Sequence, residues 1–398
     1  MEGADKRYLL ERGEQLMRPL FVTWEYPPIK AGGIANHCED LAQNLVAQGH
    51  EPVVITQGDT PGYERRNGVD VYRVTTNDAA PNTLSWSMQF GFEVERKAIE
   101  LQKEEEFDFV HAHDWMAVPG ATGIKKSLKK PMTFTVHSTQ SGRDGIKSEY
   151  QRAIQRLEWY GTYEASEVIT VGKDLFNEVK HDYGVPDDKM HFIPNGVDLE
   201  RFSEGNKNFD RSDYALPHEN IVTFLGRLYP QKGPSYLIKA MPKILREHPD
   251  TKFVFAGSGN LDEYRAMAKN LVGDKAHFTG FIPEKDLVSL LKNSLATTAP
   301  SVYEPFGLVP LESSACNTPP IASYVGGMKE TVVHEYTGLH TYPKDPKSIA
   351  EQVSRALRDP DWTNWLGDNA REYVEEHYKW DKVAEDTANV YNRALNRA

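Results

Sequence analysis

The sequence predicts an α/β protein with two domains, each built on a doubly wound parallel sheet. Short apolar runs of strand length alternate with longer helical patterns along most of the chain. The alternation stops once, close to residue 200, and then begins again. A chain of 398 residues is long enough for two or three domains at roughly 150 residues each, and two similar halves are the simplest division.

The first half of the chain carries apolar runs that are typical of buried strands. These runs are 19–24, 51–56, 69–74, 107–111, 132–136, 167–171 and 191–193. Helical patterns lie between them, at 36–48, 93–105 and 148–164. Strands joined through helices of this length form right-handed βαβ units, and such units build a parallel sheet.

The second half repeats the pattern after a break. A turn at 194–198 is followed by a polar stretch, 203–220, which has no apolar periodicity and is predicted to be a linker. Further strands are expected at 221–225, 252–256, 277–279, 295–299 and 320–322. The C-terminal residues 368–397 are expected to be almost entirely helical.

The predicted domains are Rossmann-like and comprise residues 17–200 and 201–377, after an N-terminal extension over 1–16. In open parallel sheets, ligands bind beyond the carboxyl ends of the strands. Two such domains are expected to enclose a cleft, so the functional residues should lie in the loops that follow strands.

Composition and charge exclude several classes of protein. Lys plus Arg number 46 and Asp plus Glu number 58, which gives a formal net charge of −12. This acidic balance argues against a dedicated nucleic-acid binder and against a protein held on an anionic membrane. Cys38 and Cys316 are far apart and indicate a reducing compartment without a disulfide framework. The absence of a signal-like apolar core and of any run of ~18 apolar residues predicts a cytoplasmic protein without a transmembrane segment.

The loop after the first strand contains Lys30, Gly32 and Gly33, in a Lys-x-Gly-Gly pattern directly before a helix. Two glycines let the backbone come close to a ligand, and a helix N-terminus offers free N–H groups to a phosphate. The glycines could equally serve only the geometry of the turn. No Gly-x-Gly-x-x-Gly dinucleotide pattern follows this strand.

Histidines end two successive strands of the first half. His111 and His113 alternate within the sequence His-Ala-His-Asp-Trp, so both side chains could point to one side of the sheet. His137 ends the next strand. A pair of buried, hydrogen-bonded histidines and a substrate contact both fit this pattern, and the strand-end position favours a contact for at least one. The sequence shows no third ligand at a metal-binding spacing, so no metal site is predicted.

The first strand of the second half leads into a loop with two cations, Arg227 and Lys232. Two cations in this position, after a strand and before a helix, can bind a diphosphate without a metal. The alternative is a solvated loop with two surface charges. The position at the carboxyl end of a strand favours the diphosphate site.

Two carboxylates, Glu304 and Glu312, follow another strand and flank Gly307. Gly307 can open a helix whose N–H groups face an anion. A carboxylate pair could also be the acid and base of a glycosidase, but a glycosidase needs neither a diphosphate clamp nor a nucleotide-binding fold. We interpret the two as contacts to hydroxyl groups, of a sugar for Glu304 and of a ribose for Glu312.

Together these motifs closely resemble those of the retaining glycosyltransferases with the GT-B fold. The motifs are Lys-x-Gly-Gly, His-Ala-His-Asp-Trp, Gly-Arg-x4-Lys-Gly and Glu-x7-Glu, in this order. The resemblance runs from about Met17 to the C-terminus and is nearest to bacterial and archaeal glycogen synthases and related α-glucosyltransferases. It implies a nucleoside diphosphate sugar, ADP-glucose or UDP-glucose, as the donor, a carbohydrate acceptor, and neither a cofactor nor a metal. It also implies that a C-terminal helix, 378–398, crosses back to the first domain.

The resemblance implies a role for each matching position. The catalytic residues would be His113 beside the reacting sugar, Arg227 and Lys232 on the leaving diphosphate, and Glu304 on the sugar hydroxyls. Donor contacts are implied for Lys30, Gly32, Gly33, Asn195, Gly307, Leu308 and Glu312. His137 and Arg143 would lie on the acceptor side. The reaction implied is hexosyl transfer with retention of the anomeric configuration.

The loop after His137 departs from the family pattern. It continues as Ser-Thr-Gln-Ser-Gly-Arg143 in place of an asparagine-rich segment. Because this loop would lie on the acceptor side, the acceptor stays open between an α-glucan and a smaller acceptor of the sucrose-phosphate, trehalose or glycosylated-lipid type. Two further alternatives are a nucleotide-sugar epimerase and a non-catalytic nucleotide-sugar sensor.

Overall fold

A computed structural model describes residues 15–30, 32–76 and 80–397 of the chain. The chain forms two compact units. Unit 1 takes the chain up to Asn195 and again from Trp380, and unit 2 is Gly196–Lys379. The domain boundaries predicted from the sequence, after residues 200 and 377, lie within five residues of these divisions. The predicted N-terminal extension over 1–16 lies outside the described residues except at its last two positions.

Unit 1 is built on a sheet that has eight strands within the described ranges. The strands are β1 (Pro19–Val22), β2 (Val53–Gln57), β3 (Gly62–Arg66), β4 (Val69–Val74), β5 (Phe109–His113), β6 (Met132–Val136), β7 (Glu167–Thr170) and β8 (Met190–Phe192). Their order is β3-β4-β2-β1-β5-β6-β7-β8, and all neighbours are parallel except β3 with β4. β3 was not predicted from the sequence because its residues are polar, largely exposed and without an apolar run.

Helices connect these strands. Before Asn195 the described residues form α1 (Gly33–Ala47), α2 (Thr83–Leu101), α3 (Val118–Leu128), α4 (Gln140–Asp144), α5 (Glu149–Glu164) and α6 (Lys173–Tyr183). α2 begins well before the predicted residue 93 because Asn82 caps it: the Asn82 Oδ1 accepts a hydrogen bond of 2.9 Å from the Ser85 N–H. Exposed apolar residues in the first half of this helix, Met88 and Phe92, obscure its helical period in the sequence.

Unit 2, which the structure describes throughout, repeats this architecture with six parallel strands. They are β9 (Asn220–Leu225), β10 (Thr251–Ala256), β11 (Ala276–Gly280), β12 (Ala296–Ala299), β13 (Pro320–Ser323) and β14 (Leu339–Thr341), in the order β11-β10-β9-β12-β13-β14. Its helices are α7 (Pro234–Glu247), α8 (Leu261–Val272), α9 (Glu284–Lys292), α10 (Leu308–Ala315), α11 (Met328–Thr331), α12 (Pro346–Arg358) and α13 (Pro360–His377). The predicted class of two doubly wound α/β domains is confirmed. β14 was not predicted from the sequence.

The polar stretch 203–220 is not a free linker, so that prediction is wrong. Ala215 is buried, and the ring of Phe209 stacks on Tyr214 with centroids 5.1 Å apart. Both rings pack against a small core cluster of unit 2 that includes Ile221. Isolated aromatic residues without helical or strand periodicity can still cover the side of a sheet, and periodicity alone does not detect them.

The C-terminal segment is almost entirely helical, as predicted, and it is divided into two helices. α13 ends at His377, and α14 (Trp380–Asn396) belongs to unit 1. Its apolar face enters the core of unit 1, where the Tyr391 ring lies 4.3 Å from the ring of Phe109. The expected crossing of a C-terminal helix back to the first domain is therefore present.

The two cysteines lie in different units. Cys38 is in unit 1 and Cys316 in unit 2, and both are buried and unpaired. Among the helices of the described ranges, none combines the length and the apolar character that crossing a membrane requires.

Candidate active site

Unit 1 gathers its predicted site residues at one edge of its sheet. β1, β5 and β6 are adjacent and parallel, so their carboxyl ends meet there. Lys30 lies in the loop after β1, His113 ends β5, and His137 directly follows β6.

The Lys-x-Gly-Gly loop is held by a buried carboxylate that the sequence analysis misses. Glu25 is fully buried, and its Oε2 accepts a hydrogen bond of 2.8 Å from the Gly32 N–H. Lys30 reaches toward Glu39, with 3.7 Å between Nζ and Oε2. The helix α1 then begins at Gly33. The buried Glu25 therefore holds the backbone of the loop at Gly32. The feature of the sequence that could have indicated this contact is an acidic residue three positions after a buried strand.

Three buried histidines and an asparagine come together beside this loop. The His113 Nδ1 lies 3.4 Å from the His137 Nε2, and the His137 ring lies 4.7 Å from the ring of His37. The His37 Nδ1 is 2.7 Å from the Oδ1 of Asn195. The structure therefore brings the predicted residues His113, His137 and Asn195 together. The structure also places His37 in this cluster, although His37 was not predicted as a site residue. The feature of the sequence that could have indicated it is a histidine among the apolar, buried positions of α1.

His111 differs from His113 in its hydrogen bonds, although both side chains are fully buried. The two ring nitrogens of His111 lie 2.7 Å from the Tyr391 hydroxyl and 2.7 Å from the Thr135 hydroxyl. Within the described residues, the Nε2 of His113 has no hydrogen-bond partner. His111 is thus satisfied by the protein, whereas His113 keeps one nitrogen that a ligand hydroxyl could satisfy.

Burial determines the protonation of this cluster. It lowers the pKa of His37 to about 4, with the hydrogen bond to Asn195 opposing the shift. It also lowers the pKa of His113 and of His137 well below the ordinary value, and the neighbouring histidines add to the effect. All three rings are therefore neutral at pH 7, and each can donate one hydrogen bond and accept another.

The same cluster could hold a divalent cation. Ligand nitrogens of His37, His113 and His137 all lie within 4.8 Å of one another, and three neutral imidazoles are a ligand set that transition metals accept. The three histidines come from α1 and from the ends of β5 and β6, so they are far apart in the sequence. For this reason, the spacing of histidines along the chain did not predict a metal site.

Arg143, which was predicted to lie on the acceptor side, forms an ion pair with a carboxylate of the same unit. Its Nη2 lies 2.9 Å from the Oε1 of Glu158, a fully buried carboxylate. The Oε2 of Glu158 accepts a hydrogen bond of 2.5 Å from the Tyr183 hydroxyl. Burial raises the pKa of Glu158 to about 7, although the Arg143 charge opposes the shift. Arg143 lies in α4, so this ion pair ties α4 to α5; the segment predicted as a loop after His137 is helical from Gln140 to Asp144.

The neutral state of His37 has a consequence for acid stability. Its pKa is about 4 in the folded chain against 6.5 ordinarily, so between these values the unfolded chain binds a proton that the folded chain does not. Stability should therefore fall as the pH falls from 6.5 towards 4, with a slope of about 1.4 kcal/mol per pH unit from this ring. Unfolding in urea at pH 5 should take up about one proton more in the wild type than in His37→Gln. Equal proton uptake, measured in a pH-stat, would contradict the assignment.

Unit 2 joins two of its predicted residues directly. The Nζ of Lys232 lies 2.5 Å from the Oε2 of Glu304, and both side chains are mostly buried. The Ser301 hydroxyl also donates to this oxygen, at 3.2 Å. Arg227 lies on the loop after β9 and is exposed, with its guanidinium carbon 5.7 Å from the centre of the Tyr229 ring. A cation and a carboxylate in contact, with a second cation in the same loop, can bind a phosphate and a sugar hydroxyl side by side.

Close backbone contacts set the position of the Arg227 loop. Gly257 has φ +143° and leaves no room for a side chain, since a Cβ there would lie 2.0 Å from the Gly226 carbonyl oxygen. The Leu228 N–H donates to the Ser258 carbonyl oxygen at 2.7 Å. The glycines after β10 therefore support the loop that carries Arg227.

A glycine pair that the sequence analysis misses supports the Glu304 loop in the same way. A Cβ at Gly326 would lie 1.8 Å from the Glu304 carbonyl oxygen, and the Gly327 N–H donates to that oxygen at 3.1 Å. Gly307 has φ +103° and directly precedes Leu308, the first residue of α10. The two adjacent glycines after β13 are the sequence feature that could have pointed to this contact.

Glu312 lies one turn into α10 and is half-buried. Burial raises the pKa of its carboxyl, and the Arg201 charge opposes the shift. A half-buried carboxylate can accept hydrogen bonds from a diol. The ribose role of Glu312 stays a prediction.

Two family models match the chain, one in each half. Glycosyltransferase Family 4 matches residues 31–201, and Glycosyl transferases group 1 matches residues 206–373. An uncharacterized glycosyltransferase of Methanocaldococcus jannaschii is 42% identical over 388 residues, covering 95% of this chain and 99% of that protein. The chain belongs to the group 1 glycosyltransferases.

Two further similarities bear on this glycosyltransferase. A glycogen synthase of Mycobacterium tuberculosis is 30% identical over 396 residues, covering 94% of each chain. The structure of a sucrose-phosphate synthase from Thermosynechococcus elongatus has a TM-score of 0.83 at 24% identity, over 96% of this chain and 100% of that chain. The GT-B fold and the membership of the glycosyltransferases, both expected from the four motifs, are confirmed.

Proposed function

We propose that this glycosyltransferase is a retaining hexosyltransferase. It transfers a glucosyl unit from ADP-glucose or UDP-glucose to a hydroxyl of a carbohydrate, in the first place an α-glucan. The observation that carries the proposal is the ion pair of Lys232 and Glu304, which joins the expected diphosphate ligand to the expected sugar ligand. The 30% identity with a glycogen synthase supports the choice of acceptor.

The ion pair suits a donor that carries a diphosphate next to a polyol. When the donor binds, the Lys232 ammonium contacts the diphosphate, and the Glu304 carboxylate accepts hydrogen bonds from the sugar hydroxyls. Arg227 supplies a second cation with two parallel N–H donors. Negative charge on the diphosphate grows as the glycosidic bond breaks, so both cations stabilise the transition state more than the ground state.

The transfer step needs no nucleophile from the protein. The bond between the anomeric carbon and the diphosphate oxygen breaks, and the acceptor oxygen bonds to the same face of that carbon. The acceptor's proton passes to the departing diphosphate. His113 is neutral because burial lowers its pKa, and its Nε2 can hydrogen-bond a hydroxyl of the reacting sugar. A neutral imidazole orients the sugar without placing a cation beside the oxocarbenium-like centre.

A screen of donors against acceptors tests the proposal. The protein is incubated with ADP-, UDP- or GDP-glucose, with and without a maltooligosaccharide, and the products are identified by mass spectrometry. We expect hexose units to be added to the oligosaccharide, and we expect this activity to be lost in Lys232→Ala. Lys239→Ala, an exposed lysine on α7, is the matched control. Isomerised donor without an acceptor would indicate an epimerase instead, and donor binding without turnover would indicate a sensor.

Transfer is expected to need no divalent metal, because Arg227 and Lys232 provide the positive charge for the leaving diphosphate. Activity should persist in excess EDTA. Since the histidine cluster could hold a cation, the metal content of the treated protein is measured by mass spectrometry as the control. Complete loss of activity, restored by Mg²⁺, Mn²⁺ or Zn²⁺, would contradict the prediction.

A further inference from the structure

Three histidines of unit 1 are arranged as the ligands of a metal ion are. A ring nitrogen of each of His37, His113 and His137 lies within 4.8 Å of a ring nitrogen of the other two. The ring centroids of His37 and His113 are 5.4 Å apart, and those of His37 and His137 are 4.7 Å apart. The three residues come from separate segments, α1, β5 and the end of β6, which the fold brings together at the edge of the sheet.

The separation of one pair of nitrogens suits a shared ion better than a hydrogen bond. The His113 Nδ1 lies 3.4 Å from the His137 Nε2. Hydrogen bonds from N–H donors are typically shorter, at about 2.7–3.2 Å. Two imidazole nitrogens that bind one tetrahedral Zn²⁺ at about 2.0–2.1 Å lie about 3.3–3.4 Å from each other. The two rings therefore already have the separation that a shared ion requires.

Asn195 prepares His37 to be the third ligand. The Asn195 Oδ1 lies 2.7 Å from the His37 Nδ1. An amide oxygen can only accept a hydrogen bond, so the proton of the imidazole is on Nδ1 and the lone pair is on Nε2. This Nε2 is buried and has no hydrogen-bond partner among the described residues. Histidines that bind metals commonly donate their second ring N–H to an oxygen, which fixes the tautomer and the orientation of the ring.

The ligand set selects the kind of ion. Imidazole nitrogens suit zinc and other late transition metals, and the tetrahedral spacing favours Zn²⁺ over Cu²⁺ and Ni²⁺, which prefer square-planar sites. Mg²⁺ and Ca²⁺ prefer oxygen ligands, and all three ligands of this cluster are nitrogens. His137 keeps 9% of its surface exposed, so the cluster is not sealed from solvent. A water molecule would complete the fourth position of a bound Zn²⁺.

We propose that His37, His113 and His137 bind one Zn²⁺ ion and that the bound ion inhibits sugar transfer. The binding follows from the arrangement of the histidines alone, whereas the inhibition rests on the proposed hexosyl transfer. In that reaction His113 lies beside a sugar whose transition state carries positive charge. A divalent cation on His113 raises the energy of this state by electrostatic repulsion. The metal-free protein is therefore the active form.

Binding is measured first, on chelator-treated protein without substrates. Zn²⁺ is titrated by calorimetry and Co²⁺ by visible absorption, which distinguishes tetrahedral from octahedral Co²⁺. We expect one ion per chain and a tetrahedral Co²⁺ spectrum. His37→Gln removes a ligand and should weaken Zn²⁺ binding at least about 100-fold, and Asn195→Ala, which frees the His37 ring, should weaken it about 10- to 100-fold. His181→Gln, which replaces an exposed histidine on α6, is the matched control and should bind as the wild type does.

Circular dichroism melting shows whether each variant is folded, and His137→Gln replaces His37→Gln if the latter does not fold. An unchanged Zn²⁺ affinity in the folded ligand variant would overturn the site, because the ion would then be bound elsewhere. An octahedral Co²⁺ spectrum, or a loss of affinity in His181→Gln equal to that in His37→Gln, would overturn it as well.

Inhibition is measured separately, with a nucleoside diphosphate glucose and maltotetraose as substrates and with free Zn²⁺ set by a chelating buffer. The Zn²⁺ concentration that halves the activity should equal the dissociation constant from calorimetry. In His37→Gln it should rise by the same factor by which binding weakens, with each variant compared with its own rate without Zn²⁺. Zn²⁺ binding without inhibition, or with activation, would overturn the inhibitory role. Binding at the cluster in a protein that transfers no sugar would refute the proposed function while supporting the site.

Discussion

Arg227→Ala is expected to lower kcat by about 10²- to 10³-fold, which corresponds to roughly 3–4 kcal/mol of transition-state stabilisation. The guanidinium lies on an exposed loop at the carboxyl end of β9, and it can approach a diphosphate with two parallel N–H donors. The negative charge on the diphosphate is larger in the transition state than in the bound donor. Loss of this cation should therefore act on kcat and not only on KM.

Three companion variants define the effect. Arg227→Lys should recover little activity because an ammonium cannot reproduce the two parallel hydrogen bonds. Glu304→Gln should retain affinity for the nucleoside diphosphate while losing positioning of the sugar. Arg246→Ala, an exposed arginine on α7, should match the wild type. The measurements are saturation kinetics and calorimetric binding of ADP or UDP. A rise in KM with an unchanged kcat in Arg227→Ala would contradict this prediction. It would show that Arg227 binds the donor equally well in the ground state and in the transition state.

His113→Ala is expected to reduce kcat strongly, by about 10²- to 10³-fold, the range for removal of one preorganised group. His111→Ala should leave kcat nearly intact in the folded protein. The reason is the difference in hydrogen bonding, since His111 uses both ring nitrogens within the protein and the Nε2 of His113 has no partner among the described residues.

The two histidine variants should also differ in stability. His111→Ala leaves the Tyr391 and Thr135 hydroxyls without their buried partner, which typically costs about 1–3 kcal/mol. Kinetics and thermal melting of both variants check the pair of predictions. Equal kcat losses in two folded variants would show that the roles of the two histidines are misassigned.

The sequence predicts where the site residues lie along the fold better than how they contact one another. Alternating strands and helices indicate a parallel sheet, and a parallel sheet directs attention to the loops at strand ends. Lys30, His113, Arg227 and Glu304 are all found in or beside such loops. The contact between Lys232 and Glu304 could not be predicted, because 72 residues separate them and only the order β9-β12 brings their loops together.

The residues missing from the sequence prediction share a physical cause. His37 and the pair Gly326–Gly327 act through tertiary contacts, with a ring and a carbonyl oxygen from other segments, and Glu25 acts through a backbone N–H seven residues further along its own loop. Local periodicity detects buried faces, but it does not show which polar residue on a buried face meets another. β3 is missed for the opposite reason, since an exposed polar edge strand has no apolar pattern to detect.

The central claim, transfer with retention, is tested most directly by the configuration of the new glycosidic bond. The protein is incubated with an α-linked nucleoside diphosphate glucose and maltotetraose, and the anomeric proton of the product is followed by NMR from the first turnovers. The account predicts an α-linked product, because the acceptor attacks the face from which the diphosphate departs. A β-linked product would contradict it, since that outcome requires attack from the opposite face and a base to take the acceptor's proton.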